Sequence, residues 1–281
     1  MPDELHGKRA LVTGASSGIG ARIAEQLAVR GADLVLTARR RDALETVAAE
    51  CRRHGVRVDV ITGDLGSPAD IAAAVWDHAI AGGPVDILVN NAGFGYFRRF
   101  ETAEWERDAE LLQLNIVTLV ELSRRFLEAR RGDPGRAYLM NIASTAAFQS
   151  VPNFAVYASS KAFVRNFSEA LHVEHAGSPV SVTCICPGGT HTEFHAVAGA
   201  GDYGWLANRS MLTAEEVARI AVRAMLRGKR TVIPGLLNKL SCFGVRLVPR
   251  AVASWMATRV LGTPKAASLP ARVPPRAGSA T

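Results

Sequence analysis

The run LVTGASSGIG, Leu11 to Gly20, decides the fold. Its first residues close an apolar strand that starts at Arg9, and Gly14, Gly18 and Gly20 mark the turn into an amphipathic segment from about Ser17 to Arg30. A glycine-rich turn between strand and helix lets the backbone approach a pyrophosphate closely, and the free N–H groups of the helix start favour anionic oxygens. The spacing G-x-x-x-G-x-G departs from the commoner G-x-G-x-x-G, and a turn of purely structural use remains its alternative.

Outward from this turn, short apolar strands alternate with helices. Strands are expected at 33–37, 56–62, 85–90, 137–142, 180–186 and 231–233, and helices near 42–54, after Ser67, and over 102–130, 151–177 and 213–228. Gly31 and Gly55 fall where helices should stop, Ser67 opens an S-P-A-D capping sequence, and Thr213 opens a T-A-E-E capping box. Strict alternation implies parallel pairing with right-handed crossovers, hence an α/β, doubly wound parallel sheet of about seven strands with helices on both faces. Ligands of such sheets bind at the carboxyl ends of the strands.

The 281 residues are 48% hydrophobic and 21% charged, a balance that supports one sizeable core. One domain over 1–234 is expected, with a lid at about 193–212, an apolar and basic helical extension at 235–262, and a disordered tail at 263–281. Cys51, Cys184, Cys186 and Cys242 form no CxxC pair and read as buried thiols. No charged segment followed by an apolar run opens the chain, and no stretch reaches the length of a spanning helix, so a cytoplasmic location is expected. The net charge of +7 is local: ten of the 33 Lys and Arg lie from Arg227 onward with no Asp or Glu among them, and the 23 before them face 26 acids. That distribution argues against a nucleic-acid groove.

Tyr157 and Lys161 stand four apart in YASSK, so a helix sets the ammonium beside the phenol. An adjacent cation favours the phenolate, which suits Tyr157 to give a proton to a carbonyl oxygen or take one from an alcohol. Ser144 precedes Tyr157 by thirteen residues at a strand end, and Asn115 is an amide among apolar residues in LLQLNIVTLV. TGASSGIG, Asp64-Leu65, NNAG at Asn90 to Gly93, Asn115, Ser144, YASSK and PGGTHT at Pro187 to Thr192 occur in the order seen in the short-chain dehydrogenase/reductase superfamily. The chain resembles the compact single-domain branch of that superfamily over about residues 9 to 192.

The resemblance implies a Rossmann fold and hydride transfer between nicotinamide and a ketone or secondary alcohol, with Asn115, Ser144, Tyr157 and Lys161 as the catalytic set. Ser144 would bind the reacting oxygen, Lys161 the nicotinamide ribose, and Asn115 would order a water near Lys161; a plain helix-to-helix contact is the alternative for Asn115. The cofactor would lie against Gly14, Ser16, Ser17, Gly18, Ile19 and Gly20, then Asp64, Leu65, Asn91, Ala92 and Gly93, and finally Pro187, Gly188, Thr190 and Thr192. Where NAD-preferring relatives carry Asp, LVLTARRR has Ala38 followed by Arg39, and a guanidinium suits a 2′-phosphate, so NADP(H) is expected. No metal is expected, since His191 and His195 have no second ligand cluster.

Phe94, Phe148 and Phe154, with Phe194, His195 and Trp205 of the lid, point to a hydrophobic substrate such as a steroid, a fatty-acyl group or an aromatic ketone. The extension GLLNKLSCFGVRLVPRAVASWMATRVLG fits peripheral helices touching anionic lipid, but helices packed over the pocket or into an oligomer interface are the preferred reading. The resemblance implies a homodimer or homotetramer. A non-catalytic NADP(H)-sensing regulator and an epimerase or lyase of the same fold are the competing readings.

Overall fold

A computed structural model describes residues 4–67, 71–191 and 211–261. Its centre is a seven-stranded sheet in the order β3-β2-β1-β4-β5-β6-β9, every neighbouring pair parallel. In chain order the first half is β1 (Arg9–Thr13), α1 (Gly18–Ala28), β2 (Asp33–Ala38), α2 (Arg41–Arg52), β3 (Val58–Thr62), α3 (Ile71–Ala81) and β4 (Ile87–Asn90). The second half is α4 (Trp105–Leu112), α5 (Leu119–Ala129), β5 (Ala137–Ile142), α6 (Ala155–Glu174), β6 (Val180–Ile185), the short pair β7 (Thr190–His191) and β8 (Leu212–Thr213), α7 (Ala214–Leu226) and β9 (Thr231–Val232). The extension forms α8 (Leu236–Gly244) and α9 (Arg250–Leu261).

Strands 1, 4 and 5 are buried along their whole length, as expected of a parallel sheet covered on both faces. One core, including Ile23, Leu36, Leu44, Val89 and Val222, lies under α1, α2 and α7. The other, including Leu11, Trp76, Leu88, Phe126 and Leu139, lies under α3 and α5. Gly31 and Gly55 end their helices at φ 86° and 78°, and the capping box at Thr213 forms with Glu216. All four cysteines are buried and free. The S-P-A-D cap after Ser67, most of 193–212, and 263–281 lie outside the described residues.

Two expected helices take a different form. The segment 102–130 is helical only from Trp105, and Gln113–Thr118 between α4 and α5 winds as a π-helix. The segment 151–177 becomes helical only at Ala155, because Asn153 adopts φ 61°, a left-handed turn incompatible with helix.

Candidate active site

The strand order reverses between β1 and β4, opening a crevice at their carboxyl ends. The glycine-rich turn borders it. Thr13 Oγ accepts hydrogen bonds from the main-chain N–H of Asn91 and of Ala92, each at 3.0 Å, and the Asn91 amide donates to the carbonyls of Thr13 (2.9 Å) and Gly14 (3.1 Å). Asn91 therefore locks the turn after β1 to the turn after β4. A Cβ at Gly14, which has φ 65°, would lie 2.8 Å from the Ala92 Cα, and one at Gly20 would run into the Asn91 side chain and the Gly14 carbonyl. Ser16, Ser17, Gly18 and Ile19 complete this turn and the start of α1.

Past β2, Arg39 is directed to carboxylates: its guanidinium stands 3.4 Å from Glu110 and 3.9 Å from Asp64. Arg40 instead donates to Ser17 Oγ at 3.1 Å, across the mouth of the glycine turn. Arg40 was not among the expected residues; two adjacent arginines look alike in sequence, and α4, which supplies Glu110, separates them. Asp64 accepts from the Gly66 N–H at 3.1 Å, and the buried Leu65 offers its carbonyl to Thr118 at 2.8 Å.

The expected catalytic residues come from three elements. Ser144 follows β5 and caps a 3-10 turn, Thr145–Phe148, accepting from the Ala146 N–H at 3.1 Å. The Thr145 N–H donates to the Pro187 carbonyl at 2.8 Å, which joins the turns after β5 and β6. Tyr157 and Lys161 lie one turn apart on α6, with Lys161 Nζ 5.8 Å from the phenol ring centre. Both are buried, at 7% and 5% exposure. Lys161 Nζ donates to the Ile142 carbonyl at 3.0 Å, and burial pulls the ammonium down to about 8.

Asn115 sits in the π-helical turn and is 1% exposed. Its side chain accepts from the Phe94 N–H (3.1 Å) and donates to the Phe94 carbonyl and to Ser160 Oγ (3.0 Å each). A π-turn adds one residue to a helical turn and is frequent at functional sites; here it carries an amide whose bonds reach the loop after β4 and the helix of Tyr157. A Cβ at Gly93 would lie 2.9 Å from Asn115 Oδ1 and 3.2 Å from Lys161 Nζ. Only glycine leaves that space open.

Phe154 stacks on Tyr157 with ring centres 4.3 Å apart, and Phe97 meets Phe154 edge-on at 5.9 Å. Phe94 lies under the Arg107 guanidinium at 5.7 Å. Phe148 packs against the cluster of Leu119, Ala143, Val164, Cys184 and Cys186 with Arg165 over its ring, so its observed contacts are with the fold. Thr190 is buried, its hydroxyl bonded to the Gly188 carbonyl at 3.1 Å. Gly188 lies against Asn238 of α8, where a Cβ would be 2.5 Å from the amide oxygen. Thr192, Phe194, His195 and Trp205 lie outside the described residues. Beneath the site a buried network of Asn90, Asn141, Ser123 and Ser168 joins β4 and β5 to α5 and α6.

The geometry fits a dinucleotide. The glycine turn and Gly93 keep clear two spaces that a Cβ would fill, Arg40 and Ser17 stand at one end, and Lys161 and Tyr157 at the other. The short chain dehydrogenase family profile matches residues 8–202. The glycine betaine reductase of Emericella nidulans is 33% identical over 240 residues, 83% of this chain and 19% of the relative. The 11-beta-hydroxysteroid dehydrogenase 1A of Arabidopsis thaliana is 37% identical over 193 residues, 68% of this chain and 54% of the relative. The chain thus spans about a fifth and about half of these two proteins. A short-chain dehydrogenase from Sphingobium yanoikuyae, solved in complex with NADPH, superposes with a TM-score of 0.75 at 31% identity, covering 85% of this chain and 94% of that one.

Proposed function

The chain belongs to the short-chain dehydrogenase family, and from that premise we propose an NADP(H)-dependent oxidoreductase that acts on a ketone or secondary alcohol of hydrophobic character. The observation that carries this reading is the convergence of Asn115 Oδ1 and Lys161 Nζ on the space that a Cβ at Gly93 would fill, with Lys161 one helical turn from Tyr157. NADPH would supply the hydride. In reduction, Tyr157 gives its phenolic proton to the carbonyl oxygen, and Ser144 holds that oxygen by a hydrogen bond. In oxidation Tyr157 takes the alcohol proton. Lys161, buried and cationic, favours the phenolate between turnovers and binds ribose hydroxyls. Asn115 fixes the Phe94 backbone and orders a water beside Lys161.

The preference for NADP(H) is supported by Ala38 in place of a carboxylate and by Arg39 and Arg40 beyond it. The hydrophobic substrate is supported by the aromatic cluster of Phe97, Phe154 and Tyr157 beside the site; steroids, fatty-acyl chains and aromatic ketones are the classes it suits. A homodimer or homotetramer is the proposed assembly. A panel of ketones followed at the NADPH absorbance tests the reading, with Michaelis constants for NADPH and NADH compared. Turnover confined to small polar carbonyls removes the substrate class, and a lower constant for NADH removes the cofactor choice.

A further inference from the structure

A helix packed on a soluble body turns its large apolar side chains inward. Helices α8 and α9 do the reverse. The positions they bury are Asn238, Cys242, Ala253 and Ala257, small or polar. Leu236, Leu240, Phe243 and Leu247 are 57–73% exposed, and their spacing of four, three and four puts them on one side of the helical path. Trp255 and Met256 of α9 are 58% and 49% exposed. Of the fifteen large hydrophobic side chains exposed among the described residues, eight fall between 236 and 256, so the exposed apolar surface is concentrated in this segment.

Lys239, Arg246 and Arg250 are exposed along the same helices, and no Asp or Glu follows Arg227. The occupant must accept both apolar surface and unopposed positive charge. A second copy docked about a two-fold axis would lay this surface on itself and set these cations against each other with no acid of the segment to pair them. An anionic bilayer satisfies both halves, the apolar side chains entering the acyl boundary and the basic ones meeting headgroup phosphates. No helix of the described residues is long and apolar enough to cross a membrane, which leaves a helix pair lying in the interface plane.

We propose that α8 and α9 form a docking face for anionic lipid, holding the protein with its site beside the membrane. Asn238 abuts Gly188, and α8 packs on the 3-10 turn that follows Ser144. On the proposed function, this arrangement lets a bilayer-dissolved substrate reach the site without crossing bulk water. The docking face itself does not depend on that function, and its test uses no turnover.

The test is co-sedimentation of the full chain with phosphatidylcholine vesicles, with and without phosphatidylglycerol. Binding is expected on the anionic vesicles and is expected to weaken with salt. The paired changes Phe243→Glu with Leu247→Glu, and Lys239→Glu with Arg246→Glu, should each lower partition by roughly tenfold or more. All four side chains are exposed, so thermal unfolding should stay unchanged. Absence of binding to anionic vesicles overturns the proposal. So does an apolar-to-Glu variant that lowers the oligomeric mass while binding vesicles as the wild type does, a result that assigns the face to a second copy.

Discussion

Lys161 donates its buried ammonium to the Ile142 carbonyl at 3.0 Å, tying the helix of Tyr157 to the strand that ends two residues before Ser144. Burial lowers this ammonium from the ordinary 10.5 to about 8. Between about pH 8 and 10.5 the unfolded chain therefore binds the proton that the folded chain has released, and stability rises with pH across that window. The cost of burying the charge is full below pH 8. Lys161→Met should make the cofactor-free protein more stable at pH 7, by about 1–2 kcal/mol, with the difference shrinking toward pH 10. Urea unfolding of both proteins across this range checks it; parallel curves would show that burial does not govern this group.

Tyr157→Phe keeps the ring that stacks on Phe154 and removes only the hydroxyl. Turnover should fall by about 10²- to 10⁴-fold, the usual worth of a positioned proton donor, while the affinity for NADPH, read by fluorescence titration, changes little. A variant that keeps a tenth of the activity would take the proton transfer away from Tyr157.

Arg40 and Arg39 should make separable contributions to cofactor choice. Arg40→Ala removes the guanidinium at Ser17 and should raise the Michaelis constant for NADPH by roughly tenfold or more, as expected for a lost charged hydrogen bond, with little effect on NADH. Arg39 shares its charge with Glu110 and Asp64, so Arg39→Ala should cost less. Glu110→Gln frees Arg39 and should lower the NADPH constant; a rise would show that Glu110 positions Arg39 for the phosphate.

The strands, the glycine turn and the Thr213 capping box were legible because each is written in neighbouring residues: apolar runs of strand length, glycines at fixed offsets, Thr and Glu three apart. The π-turn was not. LLQLNIVTLV carries no local mark of an extra residue per turn, which goes with the bonds Asn115 makes to Phe94 and Ser160, 21 and 45 positions away. Arg40 was missed for the same reason, since what separates it from Arg39 is Glu110, 71 residues beyond Arg39. The extension showed its mixed apolar and basic character in sequence, but which face meets the body depends on Gly188 and the turn after Ser144, elements the helices themselves do not encode.

Gly20→Ala introduces a Cβ into the Asn91 side chain and the Gly14 carbonyl. Because one obstacle is backbone, the turn itself must shift, at a cost of about 1–3 kcal/mol, with loss of dinucleotide binding. Gly244→Ala is the control. Its Cβ meets nothing within 4 Å, and it lies at the end of α8 with φ −59°, so it should raise stability by up to about 1 kcal/mol. Thermal unfolding of the two variants should move in opposite directions, and a neutral Gly20→Ala would show that the turn has room to spare.

Asn115→Leu keeps roughly the volume of the side chain but strips the Phe94 N–H and carbonyl and the Ser160 hydroxyl of their amide partner. Buried polar groups left unpaired cost about 1–3 kcal/mol each, so unfolding should shift by several degrees. If Asn115 also orders a water for proton relay, turnover at saturating substrate should fall more than the Michaelis constants rise, and the pH profile should change. Asn115→Asp keeps the acceptor for the Phe94 N–H and sets a carboxylate oxygen against the Phe94 carbonyl, so it should recover part of the fold and little of the turnover. A stability loss with kcat and pH profile intact would leave Asn115 as a packing residue that fixes the loop after β4, and the π-turn as the device that puts it there.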